Sequence, residues 1–230
     1  SISRVTQQLS SVMTAVTASL TGQLLIGDAS SPQIGSLLED AKAVAMGLPP
    51  KEPPLEAMTA VLHRRRAEGQ QISTLHLIAH GRAGAFRFGD TWIDAAALKA
   101  HATDLAHWGV ETIALWSCHL GADVGFVALL EELTGSRVLA SADWLGRDGD
   151  GSEQLHLGEW QLSDVVDQQA WPAQFWLEEF DDELIGSNAS DQLEAGAGDD
   201  DLAGGAGADD LDGGKGIDAL DGGAGSDDLS

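Results

Sequence analysis

At 230 residues with 43% hydrophobic side chains, the chain is long enough for one sizeable core and an appendage, and its formal net charge of −25 excludes nucleic acid held by general attraction. A single cysteine excludes an intrachain disulfide, so the fold must rest on its core or on metal. The acids are concentrated at one end: fifteen of the 37 follow residue 180, against one lysine, a composition suited to binding cations.

In chain order, Ile2–Leu20 carries Val5, Leu9, Val12, Val16 and Leu20 at steps of three and four, which predicts an amphipathic helix and an N-terminal helical segment over residues 1–20. Gln23–Gly27 reads as a first strand, Ile34–Lys42 as a helix and Ala43–Leu48 as a second strand. The proline cluster Pro49–Pro54 admits neither helix nor sheet interior. Leu55–Glu68 resumes helical spacing, with Arg64–Arg66 placed at its C-terminal end. Leu75–Ala79, apolar apart from His76, reads as a strand that runs into His80-Gly81, and Ala85–Ile93 alternates about Gly89-Asp90 as a hairpin. An alanine-rich helix over Ala95–His107, a strand over Thr112–Cys118, a helix over Ala122–Thr134, a strand over Val138–Ala142 and a hairpin arm over Leu155–Leu162 follow. Strand and helix alternate, which predicts an α/β domain over residues 21–177, a mainly parallel sheet covered by helices. An acidic linker, residues 178–185, follows it. No run approaches the roughly 18 apolar residues of a membrane-spanning helix.

Two strands of this domain end on chemically active residues. If they are parallel neighbours, His80 and Cys118 leave the same carboxyl edge of the sheet, where open α/β sheets place their sites. A free thiol has a pKa of about 8.5, so an adjacent imidazole or helix N-terminus is needed to hold the thiolate at neutral pH. His80 supplies the first, and the helix expected from Ala122 supplies the second. Gly81 leaves room for a substrate carbonyl, and its N–H with that of Cys118 makes a candidate oxyanion hole. Asp143, where the next strand ends, is a candidate specificity acid or a solvated turn residue. His119 packs or orients; His63, His76, His101, His107 and His156 show no metal-ligand spacing and read as structural or surface residues.

His-Gly after one hydrophobic strand and Cys-His-x-Gly after the next resembles the caspase, metacaspase and gingipain superfamily of cysteine peptidases. More closely, Ile72 to about Trp160 resembles a caspase-like domain family of unknown function found near the start of large RTX and cadherin-repeat proteins. The resemblance implies His80 as general base, Cys118 as nucleophile and Gly81 beside the oxyanion hole. Metacaspases carry an Asp two residues before the cysteine to bind a basic side chain; Trp116 stands there instead and equally walls a pocket for an apolar one. The implied partner is a peptide or protein substrate, the chain itself included.

From Gly186 to Ser230 the chain divides into five nonapeptides. Asp191, Asp200, Asp209, Asp218 and Asp227 share the sixth place; Leu193, Leu202, Leu211, Leu220 and Leu229 share the eighth. This is the RTX pattern G-G-x-G-x-D-x-U-x, which implies a parallel β-roll with leucines stacked inside and calcium between turns. The sixth-place aspartates and carbonyls at Gly198, Gly207, Gly216 and Gly225 are the candidate ligands, as Ca²⁺ takes six to eight hard oxygens. The first repeat has Ala189 where the others have the turn glycine. RTX proteins leave Gram-negative bacteria through type I secretion machinery, so the expectation is a secreted or cell-surface, calcium-linked cysteine endopeptidase that processes itself or a partner. The alternative is a non-catalytic recognition or assembly module of a large RTX adhesin, which a buried Cys118 would favour.

Overall fold

The computed structural model describes residues 20–147, 152–168, 171, 175–177, 183–196, 198, 200–214 and 218–230. The N-terminal helix expected over Ile2–Leu20 lies outside the described residues apart from Leu20, as do residues 178–182 of the linker and Gly216 of the roll.

The framework of the first domain is a five-stranded, wholly parallel sheet: β1 (Gln23–Asp28), β2 (Val44–Leu48), β3 (Thr74–Ile78), β7 (Thr112–Trp116) and β8 (Arg137–Ala140), in the spatial order β2-β1-β3-β7-β8. The strands are near-continuous apolar runs because both faces are covered. Alternate residues feed two separate cores. Leu24, Ile26, Leu75, Leu77, Ile113 and Leu115 pack with Met58 and Leu62 of α2 (Pro54–Ala67) and with Phe126 and Leu130 of α5 (Val124–Thr134). Leu25, Ile78, Ala114 and Trp116 pack on the other side with Ile34 and Leu37 of α1 (Pro32–Glu39) and with Leu162 and Val165 of α6 (Leu162–Val165). The chain reverses direction across the sheet between β1 and β3. In doubly wound sheets such a switch point opens a crevice at the carboxyl ends of the strands.

Three departures from the sequence reading have local causes. The helix expected over Ala95–His107 is broken into α3 (Ala95–Ala100) and α4 (Ala102–Leu105). At the break His101 turns its ring back, with Nδ1 2.9 Å from the Ala97 carbonyl. The segment after β3 is not a bare turn: β4 (His80–Arg82) joins β5 (Ala85–Phe88) and β6 (Thr91–Ile93) in a small antiparallel sheet, so the expected hairpin has a third strand. After Cys118 the chain makes a 3-10 turn over Leu120–Ala122 before α5 begins at Val124, where the Asp123 carboxylate caps Phe126 N–H at 3.0 Å. That carboxylate takes up the positive helix end which the sequence reading assigned to the thiol.

Two short strand sets close the sheet edge. β9 (Gly146–Arg147) pairs antiparallel with β10 (Glu153–Gln154) and with β13 (Phe175–Trp176). β11 (His156–Leu157) and β12 (Trp160–Gln161) form the expected hairpin arm.

The tail is a roll with an 18-residue period. One face stacks β14 (Glu183–Ile185), β16 (Asp201–Ala203) and β19 (Ala219–Asp221); the other stacks β15 (Gln192–Glu194), β18 (Asp210–Asp212) and β21 (Asp228–Leu229), all parallel. β17 (Ala206–Gly207) and β20 (Ala224–Gly225) line a turn edge. Leu202 and Leu211 are fully buried, whereas Leu229, at an end of the stack, is exposed. β14 corrects the linker boundary. Glu183–Ile185 pairs with Asp201–Ala203, placing Leu184 against Leu202, so the roll starts before Gly186.

Candidate functional site

β3 and β7 are neighbours in register, Ile78 opposite Trp116, so two residues further on His80 and Cys118 stand level at the carboxyl edge. The turn between them is tight. Ser117 Oγ donates to the Ala79 carbonyl at 2.6 Å, and a Cβ on Gly81 would lie 2.7 Å from Ser117 Cβ and 3.1 Å from the Cys118 carbonyl oxygen. Glycine at 81 is therefore a packing requirement. His80 is partly buried and its Nε2 lies 3.2 Å from Ser31 Oγ. Ser31, whose hydroxyl also accepts from Ile34 N–H at 3.3 Å as the cap of α1, thus orients the imidazole from across the switch point.

Cys118 has no exposed surface. Its Sγ accepts from Leu145 N–H at 2.9 Å and donates to the Leu145 carbonyl at 3.3 Å. The cover comes from the return of the chain over residues 175–177. Leu177 N–H donates to the Leu145 carbonyl at 2.8 Å, extending the β9–β13 pairing. The Leu177 carbonyl oxygen then accepts from two amides at once, Cys118 N–H at 2.8 Å and Gly81 N–H at 3.2 Å. These are the two donors expected of an oxyanion hole. Cys118 and Leu177 also share one buried apolar cluster. Gly146 allows this approach, because a Cβ there would sit 2.2 Å from the Phe175 carbonyl oxygen.

Trp116 is wholly buried in the apolar cluster that also holds Cys118, Leu145, Phe175 and Leu177, and its Nε1 donates to His76 Nδ1 at 3.1 Å. Burial lowers the pKa of His76 to about 4, so the imidazole is neutral. Asp143 is exposed; its backbone N–H donates to Ser141 Oγ at 3.0 Å and its carbonyl accepts His119 N–H at 3.0 Å. His119 adopts a left-handed conformation, φ 52°, and packs edge-on against Trp144. Sequence reasoning named Asp143 but missed Leu145, Leu177 and Ser31. For Ser31 there was a signal, a serine before Pro32 at a helix start; the other two act through their backbone, which no side-chain pattern reveals.

In the roll, the sixth-place aspartates form ladders. Asp209 Oδ1 accepts Asp191 N–H at 2.9 Å, Asp218 Oδ1 accepts Asp200 N–H at 3.0 Å, and Asp227 Oδ1 accepts Asp209 N–H at 3.1 Å. Each carboxylate is thereby fixed by one oxygen and presents the other. Asp209 Oδ2 is buried and has no hydrogen-bond partner, an arrangement that a cation satisfies. Asp191 differs, since its Oδ2 accepts Ser187 N–H at 2.6 Å and Ser187 Oγ at 2.9 Å. Gly198 and Gly207 hold φ of 148° and 145°, a region open to glycine, and a Cβ on Gly207 would lie 2.5 Å from the Ala189 carbonyl oxygen of the adjacent turn. Among the described residues no three His, Cys, Asp or Glu side chains converge, so a calcium shell here draws on backbone carbonyls as well as aspartates.

Comparison with protein-family profiles matches residues 24–180 to a domain of unknown function, DUF4347. The chain belongs to the DUF4347 family. Residues 178–211 and 203–230 match the RTX calcium-binding nonapeptide repeat, so the DUF4347 domain is followed by a roll that binds Ca²⁺ and is typical of secreted proteins. No curated protein and no solved structure matched the chain. The DUF4347 match spans all the strands of the parallel sheet except the first residue of β1, and it includes His80, Cys118 and Leu177. No helix among the described residues is long and apolar enough to cross a membrane.

Proposed function

We propose that the DUF4347 domain is a caspase-like cysteine endopeptidase, with Cys118 as nucleophile and His80 as general base, carried by an RTX protein that type I machinery exports from a Gram-negative cell. The observation that supports this most is the convergence of Gly81 N–H and Cys118 N–H on one carbonyl oxygen, the arrangement that stabilises a tetrahedral oxyanion during acyl transfer. In this reading Cys118 Sγ attacks a peptide carbonyl carbon, His80 takes the thiol proton and delivers it to the leaving amine, and water then hydrolyses the thioester. Calcium acts elsewhere: supplied to the roll, it fixes the aspartate ladders once the chain reaches a calcium-rich exterior. The roll is unfolded in the cytosol, where calcium is low and the acidic tail repels itself.

The second reading, a silent recognition or assembly module of an RTX adhesin, is favoured by the burial of Cys118 and its double tie to Leu145. One experiment separates the two. The full chain is incubated at millimolar calcium with a mixed peptide library, and both the library and the chain are searched by mass spectrometry for new termini. Cuts that disappear in Cys118→Ala and in His80→Ala support the peptidase. Absence of any Cys118-dependent cut, in the library and in the chain, assigns the domain to the silent class.

A further inference from the structure

We infer that the bond from Leu177 to Glu178 is the first substrate of this site, cut in cis by the domain that contains it; the inference rests on the peptidase reading above. Three independent observations meet at Leu177. Its carbonyl oxygen lies between the two amides of the candidate hole, 2.8 Å from Cys118 N and 3.2 Å from Gly81 N. Its own N–H is held by the Leu145 carbonyl at 2.8 Å, and Phe175 and Trp176 pair antiparallel with Arg147 and Gly146, so the segment lies along the sheet edge as an extended strand, the conformation in which a peptide is presented to a nucleophile. Its side chain is buried in the apolar cluster with Trp116, Leu145 and Phe175, surroundings that suit an apolar side chain.

The burial of Cys118 acquires a cause in this arrangement. The thiol is covered because an occupied hole excludes other carbonyls, and the occupant belongs to the same chain. The step balances without a co-reactant other than water. The Cys118 S–H proton passes through His80 to the amine of Glu178 as the Leu177 carbonyl carbon gains sulfur and loses nitrogen. Water then replaces sulfur, leaving a carboxylate on Leu177, and restores the thiol. The cut falls where the DUF4347 and RTX matches meet, and it releases β14 and the rest of the roll from the domain that precedes them. The residue before the cut is apolar, so the specificity that follows is for leucine or a side chain of similar shape, with Trp116 lining the cluster and exposed Asp143 outside it.

The test uses the full chain with millimolar calcium, intact-mass spectrometry and sequencing of new termini. The expected result is one fragment ending at Leu177 and one starting at Glu178, at a fractional rate that stays constant over a tenfold dilution because the reaction is intramolecular. Glu178→Pro, which removes the amide hydrogen of the leaving amine and leaves Leu177 in place, should reduce this cut at least a hundredfold. Cys118-dependent cuts that fall elsewhere in the chain or only in the peptide library would overturn the assignment of Leu177 and leave the peptidase reading standing. A cut at Leu177 that persists in Cys118→Ala would also overturn it. No cut anywhere removes both.

Discussion

His76 should make the α/β domain lose stability in mild acid. Its ring has no exposed surface, lies in the core layer beneath Trp116, and is crossed edge-on by Trp160 at 5.1 Å. Indole can only donate, so Nδ1, which receives Trp116 Nε1–H, is the unprotonated nitrogen, and Nε2–H donates to Gln23 Oε1 at 2.9 Å. Protonation would set Nδ1–H against the indole N–H inside an apolar layer. Burial accordingly lowers the pKa from 6.5 to about 4. The unfolded chain, with the higher pKa, binds the proton first, so the stabilisation is fully present above pH 6.5, is lost as the pH falls towards 4, and levels off below. At about 1.4 kcal/mol per pKa unit the whole descent is worth ~3 kcal/mol, of which about 2 kcal/mol should be gone between pH 7 and pH 5. The His101–Glu56 pair works in the opposite direction, since hydrogen bonds donated by the His101 ring to the Ala97 carbonyl and to Glu56 raise the His101 pKa, but the side chains are 27% and 53% exposed and solvent screens them. Urea unfolding followed by tryptophan fluorescence, in chelator to keep the roll's calcium out of the balance, reads the effect at pH 7 and pH 5. The wild type should lose about 2 kcal/mol more than His76→Gln, which retains a neutral amide at the site. Equal losses in the two proteins would show that the imidazole is not the group responsible.

Calcium should fold the roll through the buried aspartates before the irregular first repeat. Asp209→Ala should weaken the calcium midpoint in circular dichroism by about tenfold, the equivalent of one lost interaction with a charged group, whereas Asp191→Ala, whose carboxylate is already satisfied by Ser187, should move it less; equal shifts would sink the distinction. Gly81→Ala should lower the unfolding free energy of the α/β domain by ~1–3 kcal/mol, read as a lower urea midpoint, since its Cβ would be driven into Ser117 and the Cys118 carbonyl, and an unchanged midpoint would contradict the close approach.

The sheet and the roll were legible for the same reason: their information is local and repeated. Gln23–Asp28, Thr74–Ile78 and Thr112–Trp116 are apolar runs of strand length, and their alternation with helical spacing carries the parallel arrangement. The nonapeptide fixes which leucines stack, Leu202 on Leu220 and Leu193 on Leu211, because two repeats make one turn. Legibility failed at the roll's first strand, where Glu183–Ile185 keeps the leucine but lacks the glycines that mark the other turns. It failed again at His80–Arg82, where strand structure depends on a partner, Ala85–Phe88, more than on the propensity of His-Gly-Arg.

The candidate site divides along a different line, between side chains and backbone. His80, Cys118 and Gly81 could be named from sequence because the chemistry of each is written in its side chain or in the lack of one. The carbonyl shared by the Cys118 and Gly81 amides could not. Leu177 reaches the site through its carbonyl, Leu145 through its N–H and carbonyl, and Gly146 through the space its missing Cβ leaves; every peptide unit offers the same donor and acceptor, so no residue pattern distinguishes the ones that meet. What selects Leu177 is the fit of Phe175 and Leu177 into the second core and the antiparallel register of Phe175–Trp176 on Gly146–Arg147, both of which exist only once the sheet is folded. The sequence held one trace of this: Trp116, an aromatic where an acid would have announced a basic substrate. In the folded domain Trp116 belongs to the same buried apolar cluster as Leu177, so the aromatic at 116 and the leucine at 177 are parts of one core.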